Sequence, residues 1–317
     1  MFNEELVVPH LRVAIERFMA QVKGDVEVVA VNDGSHDGTV ALLAAWAYDD
    51  PRVKVINLSR NFGHQCASTA GLDYASGDAV VLMDADLQDP LDIIPIMVQR
   101  YCEGYDVVYG QRIARQGDGL FKRFTAWVFY RLMRSLVYRD LPQDAGDFRL
   151  ISRNCLDGLQ QMRETHRFLR GMVAWVGYPQ IGVPYERAAR VAGETHYPFH
   201  KMLRFAWTAA TSFSALPLKL TTILGIIVML LGFEEAIRAT LARIFHWYVV
   251  PGWASLTVLV AVVGGATLLG IGILGEYVGK IYEQSKNRPL YLVSRTVNVQ
   301  SAKYEQHAES EEHSRLR

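Results

Sequence analysis

Short apolar runs alternate with helical stretches through the first third of the chain. The segments between the runs, such as residues 38–48 and 65–74, have the pattern of helices. Runs that predict strands occupy residues 26–31, 53–58, 79–83 and 107–109. Strands that alternate with helices predict an α/β fold with a mostly parallel sheet covered on both faces. In such sheets ligands bind at the carboxyl ends of the strands, so the polar residues that follow each run are the candidates for chemistry.

Two long apolar stretches dominate the last third of the chain. Residues 249–275 contain no charged residue, and a helix of this length can cross a bilayer. A second candidate begins near residue 216, but only residues 220–233 are free of charge. Lys219 can extend this span by snorkelling, and Glu234 can pair with Arg238 one helical turn later. The pattern predicts a transmembrane hairpin of two helices.

The charges around the two spans predict an orientation. Most of the basic residues lie outside the hairpin: Lys201, Arg204 and Lys219 precede it, and Lys280, Lys286 and Arg288 follow it. This excess predicts that both ends of the hairpin lie on the cytoplasmic side of a cell membrane. From about residue 301 the chain is charged and aperiodic, which predicts a disordered tail.

The segment 119–138 mixes aromatic and apolar residues with basic ones. A basic amphipathic helix of this kind can lie in a membrane interface. The alternative is an ordinary surface helix, and the segment alone does not decide between them. The later membrane spans favour the interfacial interpretation.

Composition narrows the classes of function. The chain has 317 residues, half of them hydrophobic, and a net charge of zero, so no general attraction to nucleic acid is implied. Three cysteines without CxxC spacing argue against a disulfide framework or a zinc site. The first residues are polar and acidic, unlike a signal peptide.

Asp84 and Asp86 directly follow the apolar run 79–83. Carboxylates at the exit of a buried strand can hold a hard divalent cation through oxygen, and the cation can bind a diphosphate. A nucleotide-sugar needs such charge neutralisation when its diphosphate leaves. The alternative is a solvated acidic turn that caps a helix before Pro90.

Several motifs accompany the acidic pair. Those in the first third lie at residues 2–5 (FNEE), 31–39 (VNDGSHDGT), 61–64 (NFGH) and 84–90 (DADLQDP). Together they resemble glycosyltransferase family 2, the inverting enzymes with the Rossmann-like GT-A fold. More narrowly, residues 1–293 resemble the polyprenyl-phosphate glycosyltransferases. That match rests on residues 146–150 (GDFRL), 190–197 (RVAGETHY), 250–253 (VPGW), 275–277 (GEY) and 288–291 (RPLY).

The resemblance implies a role for each matching residue. Glu4 and Asp33 would contact the base and ribose, Asp84 would face the nucleotide-sugar, and Asp86 would hold Mg2+ or Mn2+. Gln88 would lie by the diphosphate or the acceptor phosphate. Basic residues would bind anionic phosphates, a task that suits the guanidinium fork. They are Arg112, Arg115 and Arg190, with His196 and Lys201 on the acceptor side.

Asp147 occupies the position of a proposed catalytic base in the family. The alternative is a turn residue that fixes the loop before Arg149. A phosphate monoester has a second pKa near 6, so the acceptor is already largely dianionic at neutral pH. Two explanations of Asp147 therefore remain: it removes a proton from the acceptor, or the site works by positioning the substrates and screening their charge.

The chain departs from the family pattern at two places. Thr195-His196-Tyr197 replaces a motif with lysine in the middle, and imidazole is mostly neutral at pH 7, so Lys201 or Arg204 is the expected substitute. The family also has a strand before the motif at residues 2–5. We expect an upstream segment of about five to eight apolar residues, a normal strand length, to supply it.

These observations lead to one interpretation and its rivals. The expected parts are a nucleotide-sugar-binding GT-A core (1–118), an acceptor-side part with interfacial helices (119–212), a membrane hairpin (213–280) and a cytoplasmic tail (281–317). The expected function is inverting transfer of a hexose, with UDP-glucose as the expected donor, to undecaprenyl or dolichyl phosphate. A homo-oligomer is left open.

One rival is a processive polysaccharide synthase of the same family. Those enzymes carry a Gln-x-x-Arg-Trp signature, whereas here Arg163 is followed by Glu164. The other rival is a membrane scaffold that keeps the fold without the activity.

Overall fold

The computed structural model describes residues 1–112, 145–186, 216–245 and 253–299. In these ranges the helices are α1 (Val8–Gln21), α2 (Thr39–Asp49), α3 (His64–Tyr74), α4 (Ile94–Cys102), α5 (Arg153–Gln161), α6 (Leu169–Val176), α7 (Leu216–Ile244) and α8 (Trp253–Ser285). The strands are β1 (Val28–Asn32), β2 (Val53–Leu58), β3 (Ala79–Leu82), β4 (Val107–Arg112), β5 (Ala145–Ser152), β6 (Gln180–Tyr185) and β7 (Val293–Val297).

The elements predicted from the apolar pattern are confirmed. β1 to β4 fall on the four predicted runs, and α2 and α3 occupy the predicted helical stretches between them. The interfacial helix predicted for residues 119–138 lies outside the described residues. The domain boundaries drawn from the sequence likewise stay a prediction.

The first sheet has the strand order β1-β2-β7. β1 runs parallel to β2, with Val28 opposite Val53, and β7 runs antiparallel to β2. Trp46 and Leu43 of α2 pack fully buried against Val53 and Val55 on one face of this sheet. β7 lies within the segment that the sequence assigned to the tail, and its short apolar pattern was not recognised as a strand.

The second sheet has the order β3-β5-β4-β6. β5 is antiparallel to both β3 and β4, whereas β4 and β6 are parallel. Across the described ladders two pairings are parallel and three are antiparallel. The α/β class is therefore confirmed, but the sheets are mixed and the expectation of a mostly parallel sheet was wrong.

β5 is an inner strand of the second sheet, and residues 146–152 are all buried. Phe148 and Leu150 pack on one face with Met97 of α4. Ile151 packs on the opposite side with Leu156 of α5 and residues of α6. A strand enclosed on both faces has little freedom to shift its register, which fixes the polar residues that it carries.

The first residues pair with the end of β1. The α-ammonium of Met1 donates to the carbonyl of Val31 at 2.8 Å, and the amide of Asp33 donates to the carbonyl of Met1 at 2.8 Å. Burial lowers the pKa of this ammonium below its ordinary value. Among the described residues β1 and β3 each have one ladder neighbour. The strand expected upstream of residue 2 stays a prediction.

α7 and α8 pack against each other and form the described part of a separate unit. At 29 and 33 residues they are about 43 and 50 Å long, more than the roughly 30 Å of a bilayer core. Their most apolar windows, Pro217–Glu234 and Val262–Ser285, are 6% and 0% buried. By length and composition both helices are able to cross a membrane, and their exposure distinguishes them from the core helices of a soluble domain.

Candidate active site

Asp84 follows the end of β3, where the sequence predicted a reactive carboxylate. Its side chain is about one-third exposed. Burial raises the pKa of Asp84, and the negative charges of Asp147, Asp86 and Asp89 raise it further, while His64 acts in the opposite direction. Residues 84–89, here called the acidic loop, therefore concentrate negative charge after the end of a strand, an arrangement that a cation stabilises.

Asp147 lies on β5, and its carboxylate is held from two sides. Arg170 of α6 donates from Nε to Oδ1 at 2.7 Å and from an Nη to Oδ2 at 3.1 Å. Nε2 of His64 lies 3.0 Å from Oδ2. Burial alone would raise the pKa of Asp147, but the hydrogen bonds from His64 and Arg170 outweigh it and hold the pKa far below its usual range. A carboxylate so stabilised in its charged form is a weak base.

His64 connects the two carboxylates. Its Nδ1 lies 3.9 Å from Oδ1 of Asp84, while Nε2 faces Asp147. The hydrogen bond with Asp147 raises the pKa of His64, against the effect of burial. The ionised carboxylate of Asp147 can only accept, so Nε2 of His64 carries a proton. The other ring nitrogen, Nδ1, faces Asp84. The imidazole is half-exposed, so a substrate can reach it.

The backbone before His64 is fixed by Asp33. The two carboxylate oxygens of Asp33 accept from the amides of Phe62 at 2.7 Å and Gly63 at 2.9 Å. Gly63 has a φ of +94°, a conformation that L side chains rarely adopt, and α3 begins at the next residue. Asp33 thus holds the turn that delivers His64. Its predicted contact with the nucleotide is not tested by these bonds.

The remaining predicted residues of the first third lie in tight loops. The amide of Glu4 donates to Oγ1 of Thr39 at 2.9 Å, which ties the first motif to the second. Oδ1 of Asp86 accepts from the amide of Gln88 at 3.2 Å. Between them Leu87 has a φ of +54°, unusual for a residue with a branched side chain. Strained backbone of this kind concentrates at functional sites.

Arg112 ends β4, and its Nε donates to the hydroxyl of Tyr185 at 3.3 Å. Arg115, Arg190, His196 and Lys201 lie outside the described residues, and their roles stay predictions. The structure adds residues that the sequence did not mark. His64 was quoted only as part of a motif, and Arg170 was not considered, because neither is near Asp147 in sequence.

The acidic loop fits a divalent cation that is held mainly by substrate. The described residues contain no group of three or more His, Cys, Asp or Glu side chains able to enclose a metal. Mg2+ commonly binds to one or two carboxylates and otherwise to substrate phosphates and water. Asp86 can supply such a carboxylate. The negative charge crowded around Asp84 is the observation that favours a cation here.

Comparison with known proteins identifies relatives along nearly the whole chain. The family described as "Glycosyl transferase family 2" matches residues 1–159. An uncharacterized glycosyltransferase of Bacillus subtilis is 43% identical over 95% of this chain and 93% of its own length. A prophage bactoprenol glucosyl transferase homolog of Escherichia coli is 38% identical over 93% and 96%, respectively.

A solved structure with a weaker likeness is a mannosyltransferase from Pyrobaculum calidifontis in complex with GDP-Man and Mn2+. It is 17% identical, covers 86% of this chain and 85% of its own, and has a TM-score of 0.42. This likeness is too slight to transfer a ligand or a metal.

Asp147→Asn should destabilise the fold at neutral pH, because Arg170 and His64 lose a charged partner. The pKa of Asp147 is depressed in the folded state, so its contribution is complete above the unfolded value of about 3.9 and declines as the pH falls below it. The expected loss is about 1–3 kcal/mol at pH 7, and it should shrink toward about pH 3. Denaturant unfolding in detergent, followed by tryptophan fluorescence, measures it.

Asp157→Asn is the matched control. Asp157 lies 3.9 Å from Arg153 but is 57% exposed, so the same substitution should change the free energy of unfolding little at any pH. Equal losses in both variants, or a loss at Asp147 that does not vary with pH, would contradict the account of Asp147 as a buried, stabilised carboxylate.

Proposed function

Because this chain belongs to glycosyltransferase family 2 and is a glycosyltransferase, we propose that it transfers a hexose from a nucleotide-sugar to a polyprenyl phosphate. The proposed donor is UDP-glucose, and the acceptor is undecaprenyl or dolichyl phosphate. The observation that carries the proposal is one chain with both a carboxylate site at the ends of β3 and β5 and two exposed apolar helices. The names of the bactoprenol glucosyl transferase relatives support the same acceptor and sugar.

In the proposed reaction an oxygen of the acceptor phosphate attacks the anomeric carbon. The bond from that carbon to the diphosphate breaks, UDP leaves, and the configuration inverts. A divalent cation bound at Asp86 would offset the charge that develops on the leaving diphosphate. In this proposal Asp84 faces the sugar; the observation that supports it is the contact of His64 with both Asp84 and Asp147. Since Asp147 is held by Arg170, we assign it to positioning His64 rather than to removing a proton.

Chain connectivity supports the proposed topology. β6, before the hairpin, and β7, after it, belong to the same compact unit, so the chain must leave that unit and return to it. Two spanning helices satisfy this requirement, because they bring the chain back to its starting side. With the basic residues at the outer ends of the spans, that side is the cytoplasmic one. The lipid acceptor would then meet the catalytic unit at the cytoplasmic face of the inner membrane.

Asp86→Asn should abolish transfer while leaving the protein folded, because it removes a charged ligand and no core volume. EDTA should do the same to the wild type, and Mg2+ or Mn2+ should restore the rate. The assay follows radiolabelled sugar from UDP-glucose into lipid-extractable product. Asp92→Asn, an exposed acid in the same region, is the control and should remain active. Full activity of the wild type in chelator would refute the metal-dependent proposal.

Asp147→Asn distinguishes positioning from general-base catalysis. A true base should lower kcat by about two to four orders of magnitude when it is removed. For a dianionic acceptor phosphate we expect a smaller loss above pH 7, expressed mainly in the KM for the acceptor. The pH–rate profiles of wild type and variant provide the measurement. A loss of the larger size that is constant from about pH 7 to pH 9 would instead make Asp147 the base.

The topology is tested with single cysteines in a background without the three native ones. His246→Cys, between the two spans, should react with an impermeant thiol reagent added to intact cells. Ser301→Cys should react only after the membrane is opened. The reverse pattern, or labelling of both residues from outside, would refute a hairpin with cytoplasmic ends.

A further inference from the structure

Of the arginines predicted to bind phosphate, Arg112 is the one within the described residues, and its guanidinium contacts the hydroxyl of Tyr185. We propose that Tyr185 and Asp89 are positioning residues that hold the Arg112 guanidinium ready for a substrate phosphate. The phosphate belongs either to the nucleotide-sugar or to the polyprenyl acceptor. The inference rests on the proposed function. It adds Tyr185, which no sequence motif marked, and gives a role to Asp89 of the motif at residues 84–90.

A hydroxyl connects the arginine to the acidic loop. The hydroxyl of Tyr185 donates to Oδ1 of Asp89 at 2.5 Å and accepts from Nε of Arg112 at 3.3 Å. Asp89 is 1% exposed, and its other oxygen, Oδ2, is buried without a hydrogen-bond partner. Burial and the bond to Asp89 raise the pKa of Tyr185, so the hydroxyl keeps its proton and remains a donor.

The intervening hydroxyl has an electrostatic consequence. If the guanidinium contacted a buried carboxylate directly, its N–H groups would donate to that carboxylate and not to a substrate. Here Oδ1 of Asp89 accepts from a neutral donor, and the hydroxyl of Tyr185 accepts from the Nε of Arg112. The orientation of the guanidinium plane is thereby restricted, which favours bidentate binding of a phosphate by the remaining N–H groups.

Two glycines make room for this arrangement. The pairing of β4 with β5 shifts register between Tyr109 and Gln111, and a Cβ at the intervening Gly110 would lie 2.7 Å from the ring of Tyr185. A Cβ at Gly146 would lie 2.6 Å from an Nη of Arg112. Irregularities of this kind re-aim side chains beside active sites. The backbone of both strands is therefore shaped around the tyrosine and the arginine.

The experiment measures steady-state transfer in the full-length enzyme, varying UDP-glucose and undecaprenyl phosphate separately. Tyr185→Phe should raise one of the two KM values about tenfold, the effect of one lost hydrogen bond to a charged group, with kcat changed less than about threefold. The KM that rises identifies the phosphate: the donor's or the acceptor's. Unchanged KM values for both substrates would overturn the proposal.

Tyr291→Phe is the matched control. Its hydroxyl also donates to an aspartate, Oδ2 of Asp73 at 2.7 Å, and Arg163 also contacts that aspartate at 2.8 Å. The substitution removes the same chemical group from the same compact unit, away from the acidic loop. It should leave both KM values unchanged. A KM increase equal to that of Tyr185→Phe would show a general loss of structure and overturn the proposal.

Two further variants test whether Tyr185 acts through Arg112. In an Arg112→Ala background, adding Tyr185→Phe should cause no further increase in KM, whereas independent contributions would multiply. Gly146→Ala should displace the guanidinium, a flexible side-chain end, and raise the same KM as Tyr185→Phe with little change in melting temperature. Multiplying effects, or normal kinetics in Gly146→Ala, would overturn the positioning role.

Direct binding separates this inference from the proposed function. The Kd values of UDP and undecaprenyl phosphate, measured by titration calorimetry in detergent, should show the same selective weakening in Tyr185→Phe. A wild type that binds one of these phosphates but transfers no hexose would refute the proposed function and leave the positioning role supported. A wild type that binds neither, or a variant that binds both normally, would refute the positioning role.

Discussion

The site depends on the enclosure of a charged carboxylate, that of Asp147, near the start of a buried strand. An ionised carboxylate can be buried only if it is paired and hydrogen-bonded. Arg170 from α6 and His64 from α3 supply these bonds, so that one residue of β5 joins three separate elements. Because β5 is enclosed on both faces, the carboxylate cannot turn toward solvent, and its partners must come to it.

This constraint determines how the neighbouring residues are used. His64 is drawn to Asp147, and its other nitrogen then faces Asp84, which couples the acidic loop to β5. Asp33, in turn, is occupied with the backbone that presents His64. A comparable arrangement joins Asp89, Tyr185 and Arg112, where the tyrosine hydroxyl donates to Oδ1 of Asp89 and accepts from Nε of Arg112. In both arrangements the partner of a buried carboxylate also contacts a second polar group.

Local pattern was sufficient for much of the fold. The apolar period marked four strands, two helices and both long apolar helices, because these signals lie within a few consecutive residues. It also located Asp84 and Asp86, which follow a strand directly. Direction of pairing was not predictable in this way, since whether β5 runs parallel or antiparallel to β3 depends on contacts across about 70 residues of sequence. β7 was missed because it has only five residues and pairs with β2, which lies more than 200 residues earlier in the sequence.

The pairings within the site were beyond sequence reasoning for the same reason. His64, Asp147 and Arg170 are joined by tertiary folding alone, and no spacing rule connects them. An aspartate in a family motif is compatible with a base, a ligand or a structural role. The discriminating fact is physical. A bidentate guanidinium and an imidazole already bind the Asp147 carboxylate, whereas the side chain of Asp84 is about one-third exposed and burial raises its pKa.

After the two long helices the chain returns to the first sheet. The amide of Ser59 donates to the carbonyl of Leu292 at 2.8 Å, and Tyr291 is bound to Asp73 of α3. β7 then adds a strand to β2, so the chain that leaves α8 is built into the unit that contains the site. Formation of the first sheet therefore requires the chain on both sides of the two long helices, because β1 and β2 precede these helices and β7 follows them.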